Sequence, residues 1–165
     1  MKVFWLILFA SFGAHAAERY ATDGDLLSTM DAYARAANLQ PLKQSDGDSL
    51  RVWSRDYMLG AIEGYSFSGG SAIKCRATSE YLDGVISIQR ARCRPWHKDA
   101  VGLDALDDLA ALDGRQWDCP LHDGSETYVE GVRNGRRFAL RVGNPDACDD
   151  PDSRTVVELL GKVWR

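Results

Sequence analysis

The sequence predicts an α+β domain: a mainly antiparallel sheet built from hairpins, three amphipathic helices and two disulfides. Three observations carry this. Apolar residues recur at helical spacing in three separated stretches, alternating strand-like segments lie between them, and two-residue turn dipeptides join those strands. Strands that meet through tight turns pair antiparallel, so helices and sheet segregate as in α+β folds.

The chain begins with residues 1–17, which read as a cleavable secretion signal. Lys2 supplies a positive start, Val3 to Ala10 runs apolar, and Ala14-His15-Ala16 places small residues at the peptidase positions. A membrane-spanning helix needs about 20 apolar residues, and this run is shorter and ends in a cleavage pattern. Cleavage is expected after Ala16 or Ala17. Residues 18–165 then form a single domain.

Residues 23–38 are expected to be helical. Thr22, Asp23 or Asp25 can cap the start, and Leu26, Leu27, Met30, Tyr33, Ala34 and Ala37 form one buried stripe. Asn38 and Pro41 end it. Leu50–Trp53 is a short strand and Tyr57–Phe67 a longer one, in which Gly60 and Gly64 suggest a bulge or a close backbone approach. Ser68-Gly69-Gly70-Ser71 is a turn. Ile73–Leu82 and Val85–Arg92 form a hairpin over Asp83-Gly84. Leu103, Leu106, Leu109, Ala110 and Leu112 mark a second helix. Gln116–Cys119 is a short strand, and Thr127–Arg133 with Arg136–Val142 form a hairpin over Asn134-Gly135. A last helix carries Val156, Val157, Leu159, Leu160 and Val163, with Asp152 or Ser153 as cap.

All four cysteines, Cys75, Cys93, Cys119 and Cys148, follow the signal. An even set in an exported chain implies disulfides. Of the three possible connectivities, Cys75–Cys93 and Cys119–Cys148 are favoured, because each pair brackets a hairpin. Strand parity sharpens the first. An unbroken register from the Asp83-Gly84 turn would set Cys75 opposite Arg92. It would also place Arg90, Arg92 and Arg94 on the face of Ile86 and Ile88. One extra residue between Ile88 and Ala91, a bulge, repairs both faults. Arg90, Arg92 and Arg94 then form a basic strip with Lys74, Arg76 and Thr78, a candidate contact surface for an acidic partner. Guanidinium groups lined up on strands, Arg133, Arg136, Arg137 and Arg141 included, could receive a carboxylate or an anionic partner, but the favoured reading for all seven of these arginines is charge that guards a hairpin or sheet edge.

The net charge is −4, and −5 without Lys2, the one charged residue in 1–17. An acidic exported domain lacks the basic footprint of a nucleic-acid binder, and no later stretch can span a membrane as an apolar helix. Catalytic and metal motifs are weak. Gly64-Tyr65-Ser66-Phe67-Ser68 lacks the second glycine of a nucleophile elbow. Cys119 with His122 and Asp123 is at most half a zinc site. The acidic clusters around Asp107 and Asp149 lack calcium-loop spacing. Among the aromatic residues, Trp53, Trp96, Trp117 and Trp164 are assigned to the core before a sugar platform. No cofactor, metal or catalytic residue is assigned.

Within the last third of the chain, Trp117-Asp118-Cys119, Asp123-Gly124, Tyr128-Val129-Glu130-Gly131, Gly135-Arg136-Arg137-Phe138 and Asn144-Pro145 resemble a pattern in small secreted proteobacterial proteins of unknown function. The resemblance implies export and an α+β hairpin fold, and it implies no activity. The expectation is therefore a periplasmic or secreted non-catalytic domain that binds another molecule or supports the envelope. An inhibitor or immunity protein against a lytic enzyme is the first alternative, and a cell-wall or sugar hydrolase the second. A concave pocket with converging acids would favour the hydrolase, and an exposed aromatic or arginine patch would favour binding.

Overall fold

The computed structural model describes residues 18–21, 26–82, 85–89, 91–96, 105–120 and 124–164. The signal segment, His97 and His122, the Asp83-Gly84 turn and Arg90 lie outside these residues.

Nine strands and three α-helices are described: β1 (Glu18–Ala21), α1 (Leu26–Ala36), β2 (Ser49–Asp56), β3 (Ala61–Ser68), β4 (Ser71–Leu82), β5 (Val85–Ile88), β6 (Arg92–Pro95), α2 (Ala105–Ala111), β7 (Gln116–Asp118), β8 (Ser125–Arg133), β9 (Arg136–Gly143) and α3 (Pro151–Trp164). They build one sheet in the order β1-β5-β4-β3-β2-β8-β9-β7, with β6 also on β4. Every pairing is antiparallel except β7 with β9. The parallel exception arises because β7 enters from α2 rather than from a turn.

Alternation along the central strands sends two sets of side chains to two layers. On one face Leu50, Val52, Val129, Leu140 and Val142 meet Leu106 and Leu109 of α2 and Val156, Leu159 and Leu160 of α3. On the other, Trp53, Ile62, Cys75, Tyr128 and Ala139 meet Met30, Tyr33 and Ala36 of α1. Tyr33 stacks on Trp53 with ring centres 5.6 Å apart. Trp53 lies flat because its strand neighbour is Gly64, where a Cβ would overlap the indole ring.

Three turns show how local chemistry sets the boundaries. Asn134 and Gly135 both take positive φ, 52° and 73°, the requirement of a type I′ turn. The expected strand from Tyr57 is interrupted, because residues 57–60 form a turn instead. Asp56 Oδ1 accepts from Leu59 N–H at 2.8 Å, and Gly60 takes φ 59°. At α3, the cap is Asp150 rather than Asp152 or Ser153. Its Oδ1 accepts from both Asp152 and Ser153 N–H at 3.0 Å, and Pro151 opens the helix without needing a donor.

Both disulfides link the expected partners, Cys75–Cys93 and Cys119–Cys148. Ser79 faces Ile88, whereas Arg76 faces Arg92. The second strand therefore holds one more residue than β4 between these pairs, as parity requires. Trp96 N–H donates to Ala72 O, so alternation puts Cys75 and Cys93 in the closely approaching class of pair, with Cα atoms 4.0 Å apart.

Candidate functional site

Where α3 stops covering the sheet, a groove of about 600 Å³ opens beside it. Register builds its floor. Glu63 of β3, Ser54 of β2 and Thr127 of β8 lie in one row across three adjacent strands. Ala61 and Asp56 line the groove on one side of this row, and Tyr65 and Val52, paired with each other, on the other side. The wall is apolar, from Pro145, Val157, Leu160 and Gly161.

The groove is polar below and electrostatically settled. Glu63 receives Arg76 Nε at 2.8 Å on one oxygen. Its other oxygen takes Lys74 Nζ and the Tyr65 hydroxyl, both at 3.1 Å. Lys74 also donates to the Tyr65 oxygen at 2.6 Å. Burial alone would raise the Glu63 pKa, but Lys74, Tyr65 and Arg76 outweigh it and hold the carboxyl below its ordinary value. Lys74 is raised in turn, first by Tyr65 and, against the effect of burial, by Glu63. The Ser54 and Thr127 hydroxyls line the groove, and among the described residues neither makes a hydrogen bond.

Two features of the chain frame this site. Gly161 sits inside α3, and a Cβ there would meet nothing within 4 Å. A helix-interior glycine costs about 1 kcal/mol relative to alanine, and here it leaves groove volume open. At the end of the floor, the turn between β2 and β3 exposes Tyr57, Met58 and Leu59 at 42, 73 and 77 %. Its flanking residues, Asp56 and Ala61, both line the groove.

The opposite face buries charge instead. Glu130, 0 % exposed, accepts from Arg137 at 2.8 Å and lies 3.6 Å from Arg51. Arg137 also reaches Asp31 of α1 at 2.6 Å. Burial pushes the Glu130 carboxyl above its ordinary range despite these cations. Further along, Glu126 accepts from Arg141 at 2.7 Å and from Tyr128 at 2.9 Å. Arg55 stands 4.0 Å from Glu126 and under the Tyr57 ring. Burial and the nearby Glu126 carboxylate raise the Tyr57 hydroxyl pKa.

The arginines singled out in the sequence divide. Arg92 and Arg94 are exposed on β6, opposite Arg76 and Lys74, and Arg90 lies outside the described residues. Glu63 neutralises much of the β4 side of this strip. Arg133, Arg137 and Arg141 are engaged with carboxylates rather than left free along an edge, and β7 covers β9 at Arg141–Gly143. Arg133 ties Asp48 and Asp107 at 2.6 and 2.7 Å, and the other two pin the sheet as described. Ser66 is buried and receives Arg51 Nε at 3.2 Å, within a regular strand rather than at an elbow. The groove itself has no signature in the sequence. Ser54, Thr127 and Glu63 are remote in the chain and meet only through β2–β3 and β2–β8 register.

Among the described residues no cluster of His, Cys, Asp and Glu has the geometry of a metal site, and no helix is long and apolar enough to cross a membrane. Comparison with protein-family models and with curated protein sequences finds no match to the chain.

Proposed function

We propose that the chain is an exported, non-catalytic binding domain of the periplasm or extracellular space, and that it holds its ligand in the groove beside α3. The observation that carries this reading is the groove's own chemistry: two hydroxyls on the floor that are unengaged among the described residues, an apolar wall, and a carboxylate already held ionised by two cations. A general acid needs a raised pKa, whereas the Glu63 carboxyl is lowered, so Glu63 is not such an acid. Export is supported by the pattern in residues 1–17 and by two disulfides. The exposed Arg92 and Arg94 supply a second contact for an acidic surface.

Amide-resolved NMR tests the binding reading with neutral oligosaccharides, an arginine-rich peptide and a glutamate-rich peptide as probes. Saturable shifts at Ser54, Thr127 and Val157–Gly161 are expected from at least one class. Shifts confined to β6, or to the α1 face, would place the working surface elsewhere. For export, mass spectrometry of the host-made protein should show a start at Ala17 or Glu18, and an intact Met1 in the mature pool would contradict it.

A second reading, inhibition of a lytic enzyme, is favoured by one observation: the turn Tyr57–Leu59 exposes large apolar side chains that another protein could bury. Inhibition of a panel of cell-wall lytic enzymes by the wild type, abolished in the Met58→Ser/Leu59→Ser variant, is its test. No inhibition of any enzyme in the panel would remove this reading.

A further inference from the structure

The groove's chemistry points to a neutral saccharide as its occupant, an inference that rests on the groove being the binding site. It starts from charge. Lys74 and Arg76 already offset Glu63, so the charge left open in the cavity is one oxygen of Asp56, and an anionic ligand meets like charge there. A strongly cationic ligand gains little from Glu63, whose two oxygens are already taken by Lys74, Arg76 and Tyr65. The occupant that leaves this balance undisturbed carries no net charge.

Hydrogen bonding narrows the choice further. The floor strand β2 is paired on both sides, to β3 and β8. An extended peptide therefore finds no free strand edge there, and its amide groups would be left to side chains alone. What the floor offers is short and two-way: the hydroxyls of Ser54 and Thr127, which donate or accept. Beside them stands one oxygen of Asp56, whose other oxygen holds Leu59 N–H at 2.8 Å. Ligand hydroxyls match this set, because each can serve as donor to Asp56 and as partner to Ser54 or Thr127.

Shape completes the match. A sugar ring presents hydroxyls at its edge and C–H groups on its face. The groove mixes polar groups with Val52 and Ala61 on the sheet floor and sets Val157, Leu160 and Pro145 on the helix side, so most of its lining is apolar. Its volume of about 600 Å³ falls within the range of small-ligand sites, about 300–1,000 Å³. The groove is only partly enclosed, so a sugar ring can enter it from solvent.

Titration calorimetry with NMR mapping tests this, using chitotetraose, cellotetraose and maltotetraose, with an arginine-rich and a glutamate-rich peptide as controls. The proposal expects at least one neutral tetrasaccharide to bind with amide shifts at Ser54, Thr127 and Val157–Gly161. Ser54→Ala and Thr127→Val should each weaken it about fivefold, the loss of one hydrogen bond. Both variants keep strand-compatible side chains, and unchanged thermal unfolding verifies their folding. Groove shifts from a peptide with none from any saccharide would overturn the saccharide inference and leave the groove as a binding site. A groove silent to every probe would overturn both.

Discussion

The two faces of the sheet use the same strands in opposite ways. Beneath α1 the strands bury Arg51, Arg55, Glu126 and Glu130 around an aromatic cluster in which Tyr33 stacks on Trp53 and meets Tyr128 at a tilt. Beneath α2 and α3 they bury aliphatic residues, and the polar row Glu63–Ser54–Thr127 lies where helix cover ends. Buried charge on the first face is paired and cut off from solvent, although Arg51 Nη1, Arg55 Nε, Glu130 Oε1 and Arg137 Nε have no hydrogen-bond partner among the described residues. Polar side chains on the second face open onto the groove, and two of them are unengaged among the described residues. The ionic network is buried and offers no opening to a ligand, whereas the row on the second face lines a cavity.

The largest effect should come from the closed face. Glu130→Ala leaves Arg51 and Arg137 without their shared carboxylate, and breaking a buried pair costs about 3–5 kcal/mol. Urea unfolding measures this. A loss below about 1 kcal/mol would mean that water compensates those arginines and that the face is less closed than described. Next, breaking Cys75–Cys93 by double alanine substitution should cost about 3 kcal/mol on the chain-entropy model. Gly64→Ala should cost about 1–3 kcal/mol by overpacking, because the added methyl meets the Trp53 ring. Near-UV circular dichroism would show the indole displaced, and an unchanged Trp53 environment would contradict the contact.

Acid titration separates the faces by sign. Glu63 has a folded-state pKa below its ordinary 4.5. Its contribution is therefore present above 4.5 and is lost as pH falls through the lowered value. Glu130 has a folded-state pKa above 4.5, so its contribution is largest below 4.5 and is lost as pH rises through the raised value. The stability gap between wild type and Glu63→Gln should therefore shrink on acidification. Measured against Glu130→Gln, the wild type should instead gain. Parallel trends would erase the distinction between the faces. The smallest effect is expected at the groove, where Ser54→Ala should change stability by less than about 1 kcal/mol.

Much of this fold was legible in the residues. Asn134-Gly135 announced its turn, and parity around Cys75 and Cys93 required the extra residue between Ile88 and Arg92. Met30, Tyr33 and Ala34 gave the buried side of α1. Other features were hidden for physical reasons. The parallel placement of β7 depends on where α2 docks, which no local pattern encodes. Tyr57 reads as strand by propensity, but Asp56 and Gly60 turn the chain there. Arg137 and Arg141 looked like edge charges because their partners, Asp31, Glu130, Glu126 and Asp118, come from three other elements. The groove was the least legible feature, since no two of its row residues are neighbours in sequence. Only Gly161 left a trace, as a glycine inside a helical pattern without a turn to explain it.

That glycine allows the most direct test of the groove as the working surface. The measurement is the thermal unfolding midpoint of wild type and Gly161→Leu, each with and without the tetrasaccharide that binds best. A Cβ at this position meets nothing within 4 Å, the rest of the leucine points toward the groove volume, and the change removes a helix-interior glycine, so the unliganded variant should unfold at the same temperature or higher. Ligand should raise the wild-type midpoint and leave the variant's unchanged. An equal ligand-induced rise in both proteins would contradict the account.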